Sequence, residues 1–422
     1  MSYYTEQIST KVIDANVYVQ NLRAEFQIPQ GDYGNRWRLM DVGLTTAGAG
    51  VVYNRIAGGW SIIKNIRLLN GRDELDSCRE VNRYLAFKSF NRKNADNKSK
   101  TSKYNYSAKG MGTDGGTVGN VLRTANIHID LSVASRELTN DPATTPACYL
   151  DLRECLPMLK SMEIFPAEMF PQLRLIIEFE TDLKAMVNNT TTACNTIRPI
   201  LSVDVMEDEG LVNSMKAEVD GSSWDCVEHD LFRIAPPDAP TLAGVVQQTN
   251  ARLNGFNNKR LMRMAMCKVA VDKRNYVSGA GVVVEGGTLS SDAFINEKLQ
   301  VRVNNKPKLP RNGANGRNQR LAILTDSHGD SSCYYGSNMV SANKFIERTG
   351  GARSGGQDYY GLKVNEIIKD LQVSLDRNVY ATNKGVNDLQ PERGASGYEV
   401  HCFGEVRKQI VVKGNSYQII YA

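Results

Sequence analysis

Hydrophobic side chains recur at every second position through much of this sequence. Leu173, Leu175, Ile177 and Phe179 point to one side of an extended segment, while Arg174, Glu178 and Glu180 point to the other. That is the period-two signature of a half-buried strand. Val17 and Val19 alternate, and Leu22, Ala24, Phe26 and Ile28 continue in the opposite register, so a bulge is expected between the two sets. The same alternation predicts strands at Ile62, Ile66 and Leu68, at Ile127, Ile129, Leu131 and Val133, at Leu299, Val301 and Val303, at Leu371, Val373 and Leu375, and at Tyr398, Val400 and Cys402. Two strand-like runs around Lys413-Gly414-Asn415 read as a closing hairpin. Helical spacing is confined to two stretches. Residues 76–90 place Val81, Tyr84, Leu85 and Lys88 on one face, and residues 362–371 do so with Val364, Ile367, Ile368 and Leu371. Both are expected to pack on a sheet.

The stretch before the clearest strand breaks this rhythm. In LDLRECLPMLKSMEIFPAEMFPQLRLIIEFETD, residues 150–182, Pro157, Pro166 and Pro171 each remove a backbone donor, which rules out a long helix. A short helical or irregular excursion into the sheet is expected. Its apolar residues (Leu156, Met158, Leu159, Met162, Ile164, Phe165, Met169 and Phe170) exceed what a solvated loop carries. They are expected to fill an interface within the subunit or between subunits. Long Gly/Asn/Ser-rich loops at residues 107–120, 278–291, 310–317 and 350–357 separate the strands. Many short strands, rare helices and long loops together predict an all-β chain built of sandwiches.

At 422 residues the chain suits two domains of roughly 200 residues each. The halves echo one another: NIRLLNGRDEL from Asn65 and QVRVNNKPKLP from Gln300 both read as a strand, an Asn-containing turn and an exit, about half the chain apart. A duplicated sandwich is expected, with its seam at residues 205–210. The expected division is an N-terminal arm at 1–16, a first sandwich at 17–205 and a second at 206–422.

Composition narrows the functional classes. Apolar residues make up 41% and charged residues 23% of the chain, ordinary for a globular protein. No run reaches the ~18 apolar residues of a membrane span, and MSYYTEQISTK lacks a signal-peptide pattern, so use inside a cell is expected. The net charge of +5 is mild. Basic residues concentrate only in residues 88–110, with seven Lys/Arg against Asp96, which reads as a solvated loop or an arm facing a polyanion. Cys78, Cys148, Cys155, Cys194, Cys226, Cys267, Cys333 and Cys402 follow neither metal-ligand nor redox spacing and are expected as buried thiols.

Catalytic chemistry is thinly represented. GMGTDG at residues 110–115 satisfies G-x-G-x-x-G but lacks a strand before it and a helix after it. Asp326, Ser327 and His328 are adjacent in sequence, and side chains on one segment generally do not form a triad. His128 and His401 fall on the polar faces of strands and are expected to be solvated or hydrogen-bonded. No catalytic, cofactor-binding or metal-ligating residue is assigned, and no cofactor is expected. Two alternatives stay open. A β-sandwich attachment or carbohydrate-binding module would show an aromatic-lined groove, for which Trp37, Trp60 and Trp224 are a thin supply. A sandwich glycosidase would show two carboxylates ~5–10 Å apart in one cleft.

The proline-cut stretch of residues 150–182 resembles the first jelly roll of double jelly-roll major capsid proteins. TNARLNGFNNKRLMRMAM (residues 249–266) and QVRVNNKPKLPR (residues 300–311) resemble the opening strands of the second. The resemblance points to the group of polinton-like viruses, virophages and adintoviruses. It implies two tandem eight-stranded jelly rolls and a structural role without enzymatic activity. It also implies homotrimers that form pseudo-hexagonal capsomers of an icosahedral shell, with penton and minor capsid proteins and a weak contact with packaged DNA as further partners. The location implied is the virion, assembled inside the host cell.

Overall fold

The computed structural model describes residues 8–90 (except 41, 47–50 and 53–56), 137–138, 149–186, 194–235, 245–309 (except 272–288, 290, 292–293 and 295–296), 317–328, 359–379 and 397–421 (except 414–415). The expected strand at residues 127–133, the GMGTDG loop and the basic stretch beyond Lys88 lie outside the described residues.

Sixteen strands carry the fold. In the first half they are β1 (Ile8–Asp14), β2 (Arg23–Gln27), β3 (Asp32–Met40), β4 (Ile63–Asn70), β5 (Asp73–Cys78), β6 (Tyr149–Asp151), β7 (Leu173–Phe179) and β8 (Ile200–Met206). In the second half they are β9 (Ser223–Ile234), β10 (Val245–Arg252), β11 (Arg260–Ala270), β12 (Glu297–Val303), β13 (Lys306–Pro307), β14 (Tyr359–Ile367), β15 (Leu371–Val379) and β16 (Tyr398–Lys413). The first eight pair in the orders β1-β8-β3-β6 and β2-β7-β4-β5. The second eight pair as β9-β16-β11-β14 and β10-β15-β12-β13, the same permutation with eight added to every number. This is the eight-stranded jelly roll, present twice.

Alternation explains which faces meet. On β7, Leu173, Leu175, Ile177 and Phe179 are buried while Arg174 and Glu178 are half-exposed, as the sequence predicts. Across the first core, Trp37 of β3 and Leu201 and Val203 of β8 are fully buried opposite them. In the second core, Leu299, Val301 and Val303 of β12 and Leu371, Val373 and Leu375 of β15 do the same work. Lys268 of β11 crosses that core to Glu297 of β12, donating to both carboxylate oxygens at 2.8 Å, so neither buried charge lacks a partner.

The echo between the halves falls on equivalent hairpins. Asn70 pairs with Asp73 at the β4–β5 turn, and Val303 pairs with Lys306 at the β12–β13 turn, slightly closer together than the two sequence motifs place them. Asn304 and Asn305 take positive φ (51° and 66°), which suits the two-residue hairpin turn they form.

Three expectations are corrected. Residues 362–371 are not helical: β14 ends at Ile367 and β15 begins at Leu371. Leu362 and Val364 alternate inward on β14 while Ile368 and Leu371 belong to the turn and the next strand, so their spacing mimicked a helix. The bulge expected near Leu22 is a hairpin turn, where the Leu22 N–H donates to the Val19 carbonyl (3.0 Å) and Asn21 sits at φ 60°. Seven residues of the expected N-terminal arm are strand: all of β1 pairs with β8, from Ile8 opposite Met206 to Asp14 opposite Ile200. Its sequence ISTKVID is only weakly alternating, and pairing with β8 supplies the order. The other helical expectation holds in part. Helix α1 runs Val81–Phe90, with Val81, Tyr84 and Leu85 buried, while residues 76–78 belong to β5.

In the second roll the strand register places Ile234, Ala270 and Tyr398 level with one another, and Tyr359 near them opposite Cys267. The strands begin or end here at Ile234, Ala270, Tyr359 and Tyr398, and residues 236–244, 272–288, 329–358 and 380–396, next to them in the chain, lie outside the described residues. At the other end, residues 253–259, 304–305 and 368–370 close the strands with short turns.

Gly404 on β16 points into the second core. A Cβ there would sit 2.3 Å from Phe256 Cε1 and 2.7 Å from Leu261 Cδ1. Gly404→Ala is expected to lower unfolding stability by about 1–3 kcal/mol in denaturant titration. Gly34→Ala, whose Cβ would meet nothing closer than 3.5 Å, is expected to be milder.

Candidate functional site

The two rolls meet along a dense seam. β5 and β9 pair in parallel through Cys78 and Val227, which joins a sheet of the first roll to one of the second. Asp76 of β5 is fully buried there. Its Oδ2 accepts the Met158 N–H (2.7 Å) and its Oδ1 accepts the Ser77 N–H (2.9 Å). Burial pushes its carboxyl up to about 7, against the opposing pull of these amides and of Lys408 on β16.

Met158 opens the proline-cut segment, which forms helix α2 (Pro157–Ser161), a short strand at Ile164–Pro166 and a 3-10 turn at Ala167–Met169. Pro157 suits the first turn of α2, where an N–H has no helical partner in any case. Leu156, Met158, Leu159, Met162, Ile164, Phe165 and Phe170 are buried and Met169 is half-buried, so the segment fills space within the subunit. Phe165 packs edge-on to Trp37 at 5.1 Å. Phe170 reaches the other half of the chain, 4.6 Å from the Tyr417 ring, whose hydroxyl is 2.6 Å from Asn70 Nδ2. Helix α3 (Glu209–Lys216) follows the first roll, and Lys216 ties it to Asp32 and Glu168 at 3.0 Å each.

Helix α1 lies on the outward face of β16. The Tyr84 hydroxyl donates to Glu405 Oε1 (3.1 Å), and Glu405 also pairs with Arg263 of β11. The Tyr84 ring stands 5.6 Å from Phe403, and Phe87 packs against Tyr359 at 5.1 Å. On the same face, His229 Nε2 and His401 Nδ1 are 3.1 Å apart. His401 is therefore hydrogen-bonded and buried, not solvated. Burial, then Arg83, Arg79 and Lys64, push His229 down to about 4.

Asp326, Ser327 and His328 end helix α4 (Arg317–His328) without forming a triad. The Ser327 hydroxyl donates to the Leu324 carbonyl (3.0 Å), so in its contact with His328 Nδ1 (2.8 Å) the hydroxyl oxygen accepts. Asp326 faces solvent. Two open grooves mark the second roll. One, about 580 Å³, is lined by Gln248, Asn250, Arg252, Arg302, Gln372 and Ser374 among others; the other, about 380 Å³, by Arg260, Asn365, Arg407 and Gln409 among others. Among the described residues, none lining either groove is acidic or aromatic, and Trp37, Trp60 and Trp224 are all buried. Neither groove thus offers a carboxylate pair or a sugar-stacking platform. The described cysteines are all buried and none forms a disulfide. Cys148, Cys333 and His128 lie outside the described residues. No described helix is long and apolar enough to cross a membrane.

No protein-family model and no curated protein matches the sequence. Solved structures do. PBCV-1 VP54, fitted into a reconstruction of the virophage Sputnik, aligns over 100% of this chain and 99% of its own, with a TM-score of 0.52 at 12% identity. The Sputnik virophage structure aligns over 99% and 88%, with a TM-score of 0.57 at 10% identity. The Faustovirus major capsid protein aligns over 96% and 90%, with a TM-score of 0.54 at 8% identity. These neighbours are double jelly-roll proteins, and the chain shares that fold from end to end.

Two measurements probe the seam. Asp76→Ala strands the Met158 N–H in a buried site and is expected to cost about 1–3 kcal/mol in unfolding stability. His229 binds a proton less readily folded than unfolded, so its contribution is complete above pH ~6.5 and is lost as pH falls toward 4. Asp76, raised, has the opposite sign: its contribution is complete below about pH 4 and lost as pH rises through about 7. His229→Gln is expected to flatten the acid-side decline, by up to about 3 kcal/mol at pH 4. An unchanged decline would show that the histidine pair carries no pH dependence.

Proposed function

We propose that this chain is a viral major capsid protein. In this reading it is a structural subunit, not an enzyme. It assembles as a homotrimer whose pseudo-hexagonal capsomers tile an icosahedral shell. One observation carries the reading: the same strand permutation occurs twice in one chain, joined at a buried seam. Three such chains supply six similar lobes, and a six-lobed tile packs hexagonally. The near-complete alignment with capsid proteins of PBCV-1, Sputnik and Faustovirus supports it.

The parts of the chain follow. The first jelly roll ends near Met206 and the second runs from there to the C-terminus. The end of the second roll with long connections suits contacts or exposure beyond the shell, and the short-turn end suits a smooth opposing surface. The basic stretch at residues 88–110 suits a weak contact with packaged DNA. Neighbouring trimers, penton proteins and minor capsid proteins complete the partners, in a virion assembled inside the host cell.

Light scattering on the size-separated recombinant chain tests this. The expected species has three times the chain mass of 46.8 kDa, with a six-lobed outline in negative stain. A stable 46.8 kDa monomer would overturn the trimer reading.

A further inference from the structure

The chain's internal seam contains the plan of a contact it cannot make with itself. The +8 correspondence of strands makes β5 equivalent to β13 and β9 equivalent to a seventeenth strand. The strand that follows β16, Ser416–Tyr421, folds back antiparallel along β16 and does not pair with β13, so the counterpart by topology is β1 of another copy. Both edges needed are open among the described residues. β1 pairs only with β8, and β13 pairs only with β12. Open edges are ready templates for pairing.

The faces tell the same story. The β9-β16-β11-β14 sheet turns its outward face to the first roll, and the centre of that face is buried: Val227, Phe403, His401, Ala265 and Tyr359 are all within 3% of full burial, while Leu231 at its margin is 38% exposed. The equivalent face of the first roll is the outward side of β1-β8-β3-β6. It carries a matching ion pair between the eighth and third strands, Asp204 with Arg38 (3.2 Å), where the second roll has Glu405 with Arg263. Aligning the two acids places Val12 of β1 level with His229; aligning the two arginines places it level with Val227. The first roll covers both of those positions. Val227 bridges to Cys78, and His229 lies close enough to Arg83, Arg79 and Lys64 to feel their charge. Val12 itself is 61% exposed, more than any other large apolar side chain described.

We propose that the outward face of β1 and β8, centred on Val12, is the docking surface for the β13 side of a second copy, repeating between chains the β5–β9 junction found within each. Such a contact is heterologous, so one copy's β13 side engages the next copy's β1 side. It closes into a ring when the steps complete a turn. The inference rests on the trimer reading and specifies which surfaces make it.

Light scattering on full-length variants tests the assignment. Val12→Asp places a charge on a side chain already in water, so the monomer should fold with unchanged circular dichroism and melting. The trimer should give way to a species of 46.8 kDa. Leu22→Asp, at a 55% exposed apolar position in the hairpin turn that leads into the other sheet, should leave the trimer intact. Should Val12→Asp fail to fold, maleimide labelling of assembled Val12→Cys and Leu22→Cys decides, with the Val12→Cys thiol protected and the Leu22→Cys thiol labelled above the wild-type background. A Val12→Asp protein that stays trimeric, or equal labelling at the two sites, would overturn this surface while leaving the trimer standing. A wild-type chain that runs at 46.8 kDa would overturn both.

Discussion

A carboxylate taken out of water between two backbone amides fixes how the two rolls meet. Asp76 lies in the first roll's edge strand, two residues before the Cys78 that pairs with Val227, and its charge is costly to bury unless both hydrogen bonds persist. One amide belongs to its own strand and the other to α2, so the proline-cut segment must be in place for the strand edge to be tolerable. The pairing of Cys78 with Val227 then brings β9 alongside. Tyr84, Phe87 and Phe170 make only short-range contacts across the seam. Each is useful only once the edges are held in register.

That arrangement explains why a second sandwich adds more than size. A sheet face that would otherwise be wet is covered by the helix of the neighbouring roll, and a sheet edge that would otherwise be open is paired. Each roll solves for the other a problem that an isolated sandwich leaves to solvent. Among the described residues, the same physics leaves the outer edge of β1 and the outer edge of β13 without a paired strand. A chain with two halves therefore has two ends that match.

Much of the fold was legible in the sequence because one face of most strands is dry. Leu173 to Phe179 and Leu299 to Val303 alternate so cleanly that their burial follows directly. The duplicated hairpin at Asn65 and Gln300 was visible as well, almost to the residue. β1 was not, since Ser9, Thr10 and Lys11 are exposed and its order comes from pairing with β8. Ile367 and Ile368 imitated a helical stripe because a turn between two strands happened to carry apolar residues. The seam was half legible. The surplus of apolar residues in the proline-cut segment announced an interface, but nothing marked its partners. Tyr84, Glu405, His229 and Asp76 are scattered across both halves of the chain, and only the paired strands bring them together.

Four connections of the second roll leave from the end where Ile234, Ala270, Tyr359 and Tyr398 stand level. Chain length added there does not pass through the core, and each doubling of a flexible connection costs only about 0.6 kcal/mol in closure entropy. The lateral dimensions of the subunit are set by strand spacing and by the seam, which such additions leave untouched. Connections at that end can therefore change in length and sequence while the strand register and the seam stay as they are. For the same reason, foreign peptides grafted at that end should be carried as passengers.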